Sequence, residues 1–359
     1  MNALPNSPVP VNQNKLELLL FFDGIAIVLI VLFHALIGEP GNIFYFFKDY
    51  SVYLGLTLFT FSAGYKLILN HADDIRKKTF LGSYFIRRCI RLYKPYLGYT
   101  LLMFFPLLII DYCAWYILNL HFSGIATFFS ALENMNLMHL LAFFVGDNPV
   151  TGHLWYLLAL IIITAAVFTV LYFLDLRLLC YLAIPLFPVC LYLFTTAHFF
   201  EMEIAFRAFL LLPFFILGAW FAFHQQYRKS PWFASFSRYF AIIFPVLMAA
   251  SILVQDEVLN MVMIFFGCIL FPFFLSSVAG LVKRVRPVHA FLQFSGLYSF
   301  QIYLFHLPLI LLILLRASGD IMKINYFFMP FLITVAAIYL SVLAYLMVKR
   351  VHLAFLIED

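Results

Sequence analysis

The feature that most constrains this chain is the recurrence of apolar runs about 20 residues long, which is the length an α-helix needs to cross a bilayer. Inside lipid, only a helix or a closed barrel gives every backbone N–H and C=O group a partner, and these runs are too long for barrel strands. The runs therefore predict transmembrane helices. We place about ten spans, at 17–38, 51–69, 95–118, 153–174, 178–197, 204–223, 239–254, 258–278, 290–314 and 326–348.

Composition favours an all-α, polytopic membrane bundle over any soluble fold. Hydrophobic residues make up 65% of the chain and charged residues only 11%, whereas soluble domains carry roughly 25% charged residues. The net charge of +5 does not indicate a nucleic-acid partner, because the basic residues lie in short connections between apolar runs. The five cysteines show no CxxC or metal-ligand spacing, so no metal is expected.

The distribution of Lys and Arg predicts the orientation of the chain. Cytoplasmic connections collect positive charge, and most of the 22 basic residues fall in alternate connections if both termini are cytoplasmic. This predicts a transmembrane domain at 17–350 between cytoplasmic tails at 1–16 and 351–359, in what we expect to be a bacterial inner membrane. The apolar stretch at 124–145 is predicted to be an outer-face helix, because an extra span would invert the later basic connections.

Four polar side chains fall within predicted spans or at their ends, where an ionisable group is costly and indicates function. The rise of an α-helix places His34, His153, His306 and Arg207 at one depth, in the outer half of the bundle. A lone histidine there is usually an interfacial or satisfied interior residue. Three histidines and an arginine at one level favour a water-accessible chamber in which His34, the deepest, acts as a general base.

The inner face is predicted to carry a dense basic run. Between Tyr84 and Tyr96, the cations Arg87, Arg91 and Lys94 would share one face of a helix. Two interpretations stay open, a topology anchor that binds anionic lipid and a site that captures phosphate groups. Asp23 lies in the inner half of the first span, where we expect a salt bridge to one of these cations or to Lys66.

Five segments resemble motifs of the membrane-bound acyltransferase-3 family, whose members transfer acyl groups, usually from acetyl-CoA, to saccharides and related acceptors. The resemblance covers nearly the whole chain. The segments follow the family's order and spacing: Asp23–His34, Thr57–Tyr65, Phe85–Tyr96, Gly152–Tyr156 and Ser295–His306.

The resemblance implies the parts of an acyl-transfer site. It implies His34 as the catalytic base, with Arg207, His153 or His306 stabilising the oxyanion or orienting a saccharide acceptor, and with Trp155 and Tyr303 as stacking surfaces. It implies acyl-CoA, expected to be acetyl-CoA, as the co-substrate. The residues expected to bind it are Arg87, Arg88, Arg91, Lys94 and Lys66.

Asp23 departs from the family pattern, which usually has Arg or Lys ten residues before the histidine of the first helix. It is the best support for a second reading, a transporter or flippase that binds a lipid-linked saccharide without catalysis. A channel or ion-coupled carrier is less favoured, since few carboxylates lie in the spans. The sequence leaves open whether the protein acts alone or as a homodimer.

Overall fold

The structure is a computed structural model that describes residues 13–37, 43–76, 81–112, 152–173, 176–196, 202–227, 231–254, 256–316, 328–351 and 353. These residues are nearly all helical and include no strand. The helices are α1 (Gln13–Ile37), α2 (Phe47–Arg76), α3 (Leu81–Tyr112), α4 (Trp155–Phe173), α5 (Leu176–Thr196), α6 (Ile204–Tyr227), α7 (Pro231–Leu253), α8 (Glu257–Val282), α9 (Arg286–Leu297), α10 (Ser299–Phe305), α11 (Leu311–Arg316) and α12 (Met329–Arg350).

Six described segments are long and apolar enough to cross a membrane, which agrees with the predicted all-α membrane bundle. They are Leu16–Leu36, Phe44–His71, Gly152–Phe173, Ile204–His224, Glu257–Val282 and Met329–Arg350. The shorter apolar helices Ile184–Thr196 and Arg238–Leu253 coincide with two further predicted spans. The count of ten spans and the cytoplasmic position of both termini remain predictions, and the expected helix at 124–145 lies outside the described residues.

The predicted span at 290–314 is not one continuous helix. The chain forms α9, turns at Tyr298, continues as α10, and then opens into a π-helical turn over His306–Ile310 before α11. Leu307 has φ −123° and ψ 157°, outside the helical region. Pro308 accounts for this break in the helix, because it has no N–H group to continue the helical hydrogen bonds.

At the centre of the bundle, helices cross closely at glycine residues, which carry no side chain. α2 packs most extensively against α6, where Gly64 lies against the backbone of Phe215 and Gly218 lies against the backbone of Phe61. A Cβ atom on either glycine would overlap a carbonyl oxygen of the facing helix. Small residues let membrane helices approach in this way when no hydrophobic effect drives them together.

A second crossing of the same kind joins α1 to α9. Gly24 faces the carbonyl group of Leu292, and Gly296 faces that of Leu20. α1 also packs against α2 and α12. The first helix is therefore fixed on several sides, and the side chains that it carries have defined positions.

A buried ion pair ties α1 to α2. Asp23 is only 3% exposed. One carboxylate oxygen accepts a hydrogen bond from Ser62 Oγ at 2.5 Å, and the other accepts one from Lys66 Nζ. Lys66 is one of the salt-bridge partners of Asp23 expected from the sequence.

Adding a methyl group at Gly64 is expected to destabilise the bundle. In Gly64→Ala, the new Cβ meets the Phe215 carbonyl oxygen, and overpacking of this kind typically costs about 1–3 kcal/mol. The melting temperature in detergent should fall. Gly280→Ala is the matched control, because a Cβ at Gly280 meets nothing within 4 Å, and equal melting temperatures for the two variants would contradict the packing.

Removing the two partners of the Asp23–Lys66 pair is expected to have unequal effects. Lys66→Met leaves a buried carboxylate without its cation, which costs about 3–5 kcal/mol in comparable buried pairs. Asp23→Asn leaves an ammonium on a side chain that is 43% exposed and can be hydrated, so the loss should be smaller. Thermal unfolding of both variants and of the double variant checks this, and the double variant should be more stable than Lys66→Met.

Candidate active site

The structure brings the three predicted histidines together from three parts of the chain. His34 lies in the last turn of α1, His153 in the short 3-10 turn before α4, and His306 at the end of α10. The ring centroids of His34 and His306 are 5.3 Å apart, and those of His153 and His306 are 5.4 Å apart. We call these three residues the histidine cluster.

Side chains from other helices surround the histidine cluster. Tyr303 donates a hydrogen bond from its hydroxyl group to the backbone carbonyl of His153, and its ring lies 6.0 Å from that of His306. Arg207, also expected here, lies with its guanidinium 4.9 Å from the ring centroid of Trp155, and its Nε donates to the Met202 carbonyl at 2.8 Å. Arg207 therefore contacts the surroundings of the histidine cluster through Trp155, which follows His153 by two residues in the sequence.

A cleft of about 740 Å³ lies between α1, α2, α3, α4, α10 and α12. This volume is within the range of small-molecule and cofactor sites. Four cations line it, Lys66, Arg88, Arg91 and Lys349, and Asp23 is the one carboxylate among the described lining residues. We call it the basic cleft, and its charge favours an anionic ligand.

Arg88 is held at the wall of the basic cleft by two hydrogen bonds. Its Nε donates to Thr164 Oγ1 at 3.1 Å, and its Nη1 donates to the Tyr84 hydroxyl at 3.2 Å. Thr164 in turn donates to the Leu160 carbonyl at 2.6 Å, so its oxygen is fixed as an acceptor. The guanidinium is therefore oriented before any ligand arrives.

The other end of the basic cleft is aromatic and reaches the histidine cluster. Its lining includes Tyr156 and Tyr303, with apolar side chains from α2 and α4 beside them. The ring centroids of these tyrosines are 6.0 Å apart, and His306 and then His34 follow Tyr303 in ring contact. Along α4, Tyr156 lies about 12 Å from Thr164, the residue that binds Arg88.

Both tyrosines at the aromatic end already donate their hydroxyl protons to acceptors within the protein. Thr60 Oγ1 donates to the Leu56 carbonyl at 2.8 Å, so in the 3.0 Å contact between Thr60 and Tyr156 the tyrosine is the donor. Tyr303 donates to the His153 carbonyl. The two hydroxyl groups can therefore offer only acceptor lone pairs to a ligand in the basic cleft, such as one that carries amide N–H groups.

The predicted phosphate-binding residues fall into two sets. Lys66, Arg88 and Arg91 line the basic cleft, whereas Arg87 and Lys94 are not among its described lining residues. The expected face of the basic run therefore differs from the one that the structure uses. Lys349 was not predicted as a site residue, because a cation at the end of the last span is typical of a topology signal.

Two lining residues at a kink in α2 were also not predicted from the sequence. His71 has non-helical backbone angles, and both His71 and Asn70 line the basic cleft. No motif marks them. Among the described residues, no three histidine, cysteine or acidic side chains are arranged to share a metal ion.

The family comparison agrees with this architecture. A model of the acyltransferase-3 family, described as an acyltransferase domain, matches residues 20–346, a range that contains α2 to α11 and most of α1 and α12. No curated protein and no solved structure gives a significant match. The match spans far more than half of the chain and includes the histidine cluster and all but one of the cations of the basic cleft, so this protein belongs to the acyltransferase-3 family.

Proposed function

We propose that this membrane acyltransferase moves an acyl group, expected to be acetyl, from cytoplasmic acyl-CoA to a hydroxyl group of a cell-surface or lipid-linked saccharide. The observation that carries the proposal is the basic cleft, which is lined by four cations and meets the histidine cluster through Tyr156 and Tyr303. Such a site can bind a phosphorylated donor and hold its reactive end beside a base.

The donor would lie along the basic cleft with its phosphates on the cations. The described lining of the cleft includes Arg88, Arg91 and Lys349, and its one carboxylate, Asp23, is bonded to Lys66. The guanidinium groups suit phosphate, because each offers several donors in a fixed plane. Lys66 has N–H groups left after its bond to Asp23, and these suit a neutral carbonyl such as those of the pantetheine arm.

The reaction would then occur at the histidine cluster. His34 takes the proton of the acceptor hydroxyl group, and the oxygen attacks the thioester carbonyl carbon. The carbon–sulfur bond breaks, and the leaving thiolate receives the proton from His34. Arg207 and His153 are the groups we assign to oxyanion stabilisation or sugar orientation, with Trp155 as a stacking surface.

The direction of the reaction follows from the predicted topology. The distribution of Lys and Arg places the basic end of the cleft inside and the histidines toward the outer face of a bacterial inner membrane. The competing reading, a saccharide flippase, took its main support from Asp23. That carboxylate is tied by Lys66 and Ser62 and is not a free intramembrane acid, which weakens the support.

Loss of the His34 imidazole is expected to abolish acyl transfer. In His34→Ala the acceptor hydroxyl has no base, and general-base catalysis typically contributes about 100-fold or more to the rate. The measurement is the acyl content of surface polysaccharide by mass spectrometry in cells with and without the protein. It is paired with release of free CoA from acetyl-CoA by purified protein.

His224→Ala is the matched control for this experiment. His224 stacks on Trp220 with ring centroids 4.3 Å apart, and it is absent from the histidine cluster and from the described lining of the basic cleft. It should leave acyl transfer unchanged. Full acylation by His34→Ala at normal protein levels would contradict the role of His34, and wild-type protein that neither hydrolyses nor transfers the acyl group would favour the flippase.

Removal of the cleft arginines is expected to weaken donor binding. Arg88→Ala or Arg91→Ala removes a charge-assisted contact to phosphate, and such contacts contribute about 1.5–3 kcal/mol. The KM for acyl-CoA should rise about 10- to 100-fold, with a smaller change in kcat. Arg286→Ala is the control, because Arg286 is exposed at the start of α9 and is not among the described lining residues. An unchanged KM in both cleft variants would contradict binding of the donor in this cleft.

A further inference from the structure

The break in the helix after Phe305 frees backbone groups beside the histidine cluster. In a regular helix, the N–H of residue 308 would bond to the carbonyl of Leu304, and Pro308 has none. His153 Nε2 lies 3.4 Å from that carbonyl oxygen. Tyr99 donates its hydroxyl proton to the Leu307 carbonyl at 2.5 Å. Side chains of the site thus bind carbonyl groups that the helix leaves free.

These contacts define where His153 carries its proton. A carbonyl oxygen only accepts, so the Nε2 atom of His153 is the protonated nitrogen in its contact with Leu304. A neutral imidazole has one N–H group. His153 therefore directs its proton to the backbone and away from the other two histidines.

The backbone also fixes the proton of His306. Its Nδ1 lies 3.0 Å from the carbonyl oxygens of both Ile302 and Tyr303, so Nδ1 is the donor. Nε2 is consequently an unprotonated acceptor. That nitrogen is buried and has no hydrogen-bond partner among the described residues, in a side chain that is 0% exposed.

A buried acceptor without a partner costs about 1–3 kcal/mol, so its persistence in a polar site indicates a donor in the working state. Two imidazole rings lie next to His306, those of His34 and His153, and the neighbouring Tyr303 gives its hydroxyl proton to the His153 carbonyl. His153 already gives its proton to Leu304, which leaves His34 as the neighbouring donor. The centroid separation of 5.3 Å between His34 and His306 lets the N–H group of one imidazole reach the lone pair of the other after a ring rotation.

We propose that His306 is a positioning residue for His34, in which Nε2 of His306 accepts one N–H group of His34. This leaves the second ring nitrogen of His34 unprotonated and free to face the acceptor hydroxyl. The inference rests on the proposed acyl transfer. It gives the histidines distinct roles, as in other sites where a base is oriented by a third group.

The proton balance of the step is complete without any further reactant. The acceptor O–H bond breaks, its proton moves to the free nitrogen of His34, and the new oxygen–carbon bond forms as the carbon–sulfur bond of the thioester breaks. While His34 carries the extra proton, its bond to His306 Nε2 stabilises the positive charge. The proton then leaves with the thiolate, and both histidines return to their starting tautomers.

The test compares two amide substitutions at His306. His306→Asn keeps a polar group near the position of Nδ1 and has nothing at the position of Nε2, whereas the oxygen of His306→Gln reaches the position of Nε2. We expect His306→Asn to lower kcat about 100-fold with little change in the KM for acetyl-CoA. His306→Gln should recover at least about tenfold of that loss.

His289→Asn is the matched control, because His289 Nε2 is also buried without a partner among the described residues, but His289 lines a separate cavity with Glu17 and Lys283. It should leave kcat unchanged. If His306→Asn is as active as the wild type, or if the Asn and Gln variants lose activity equally while remaining monodisperse, the role of His306 is overturned. If the Asn variant aggregates, His306→Gln is compared with His306→Met, which lacks the acceptor, and equal activities overturn the proposal.

The failure of this inference is distinguishable from failure of the proposed function. An active wild type with an unaffected His306→Asn variant removes only the positioning role. A wild type that neither hydrolyses nor transfers the acyl group of acetyl-CoA removes acyl transfer itself, and the positioning role with it.

Discussion

The structure depends on the requirement that backbone polar groups inside a bilayer find partners within the protein. Helices meet this requirement along nearly the whole described chain. Where Pro308 interrupts it, side chains of the site supply partners for backbone carbonyl groups, through His153 at Leu304 and Tyr99 at Leu307. The irregular backbone and the polar side chains therefore satisfy each other's hydrogen bonds, and either would be costly in lipid without the other.

In the proposed function, the basic cleft and the histidine cluster divide two tasks that conflict electrostatically. Binding phosphates needs permanent cations, whereas a general base needs an imidazole that is unprotonated when the acceptor arrives. Tyr156 and Tyr303 line the cleft beside the histidine cluster, and Tyr303 contacts His306. The histidines of the cluster are not themselves among the described lining residues of the cleft.

Much of this arrangement could be predicted from the sequence, because it depends on patterns that survive in one dimension. The length of the apolar runs predicts helices, and the depths of His34, His153 and His306 predict that they meet. The helical rise could not predict which face of the basic run points inward: of its predicted residues, Arg88 and Arg91 are among the described lining residues of the cleft, whereas Arg87 and Lys94 are not.

Other features depend on contacts between distant segments and have no local signal. The acceptor of His153 is a carbonyl group from another part of the chain. Lys349 joins the site only because α12 packs against α10 and α1. Tertiary packing decides these points, and a single sequence does not encode them in a readable pattern.

Asp23 illustrates how the site accommodates a charge reversal in its first helix. A cation at this position would add one positive charge to the lining of the basic cleft, whereas Asp23 with Lys66 adds none. The other lining cations are Arg88, Arg91 and Lys349. In the proposed function, the phosphates of the donor bind these cations, and the part of the cleft beside the Asp23–Lys66 pair holds the uncharged arm that carries the acyl group toward Tyr303 and His34.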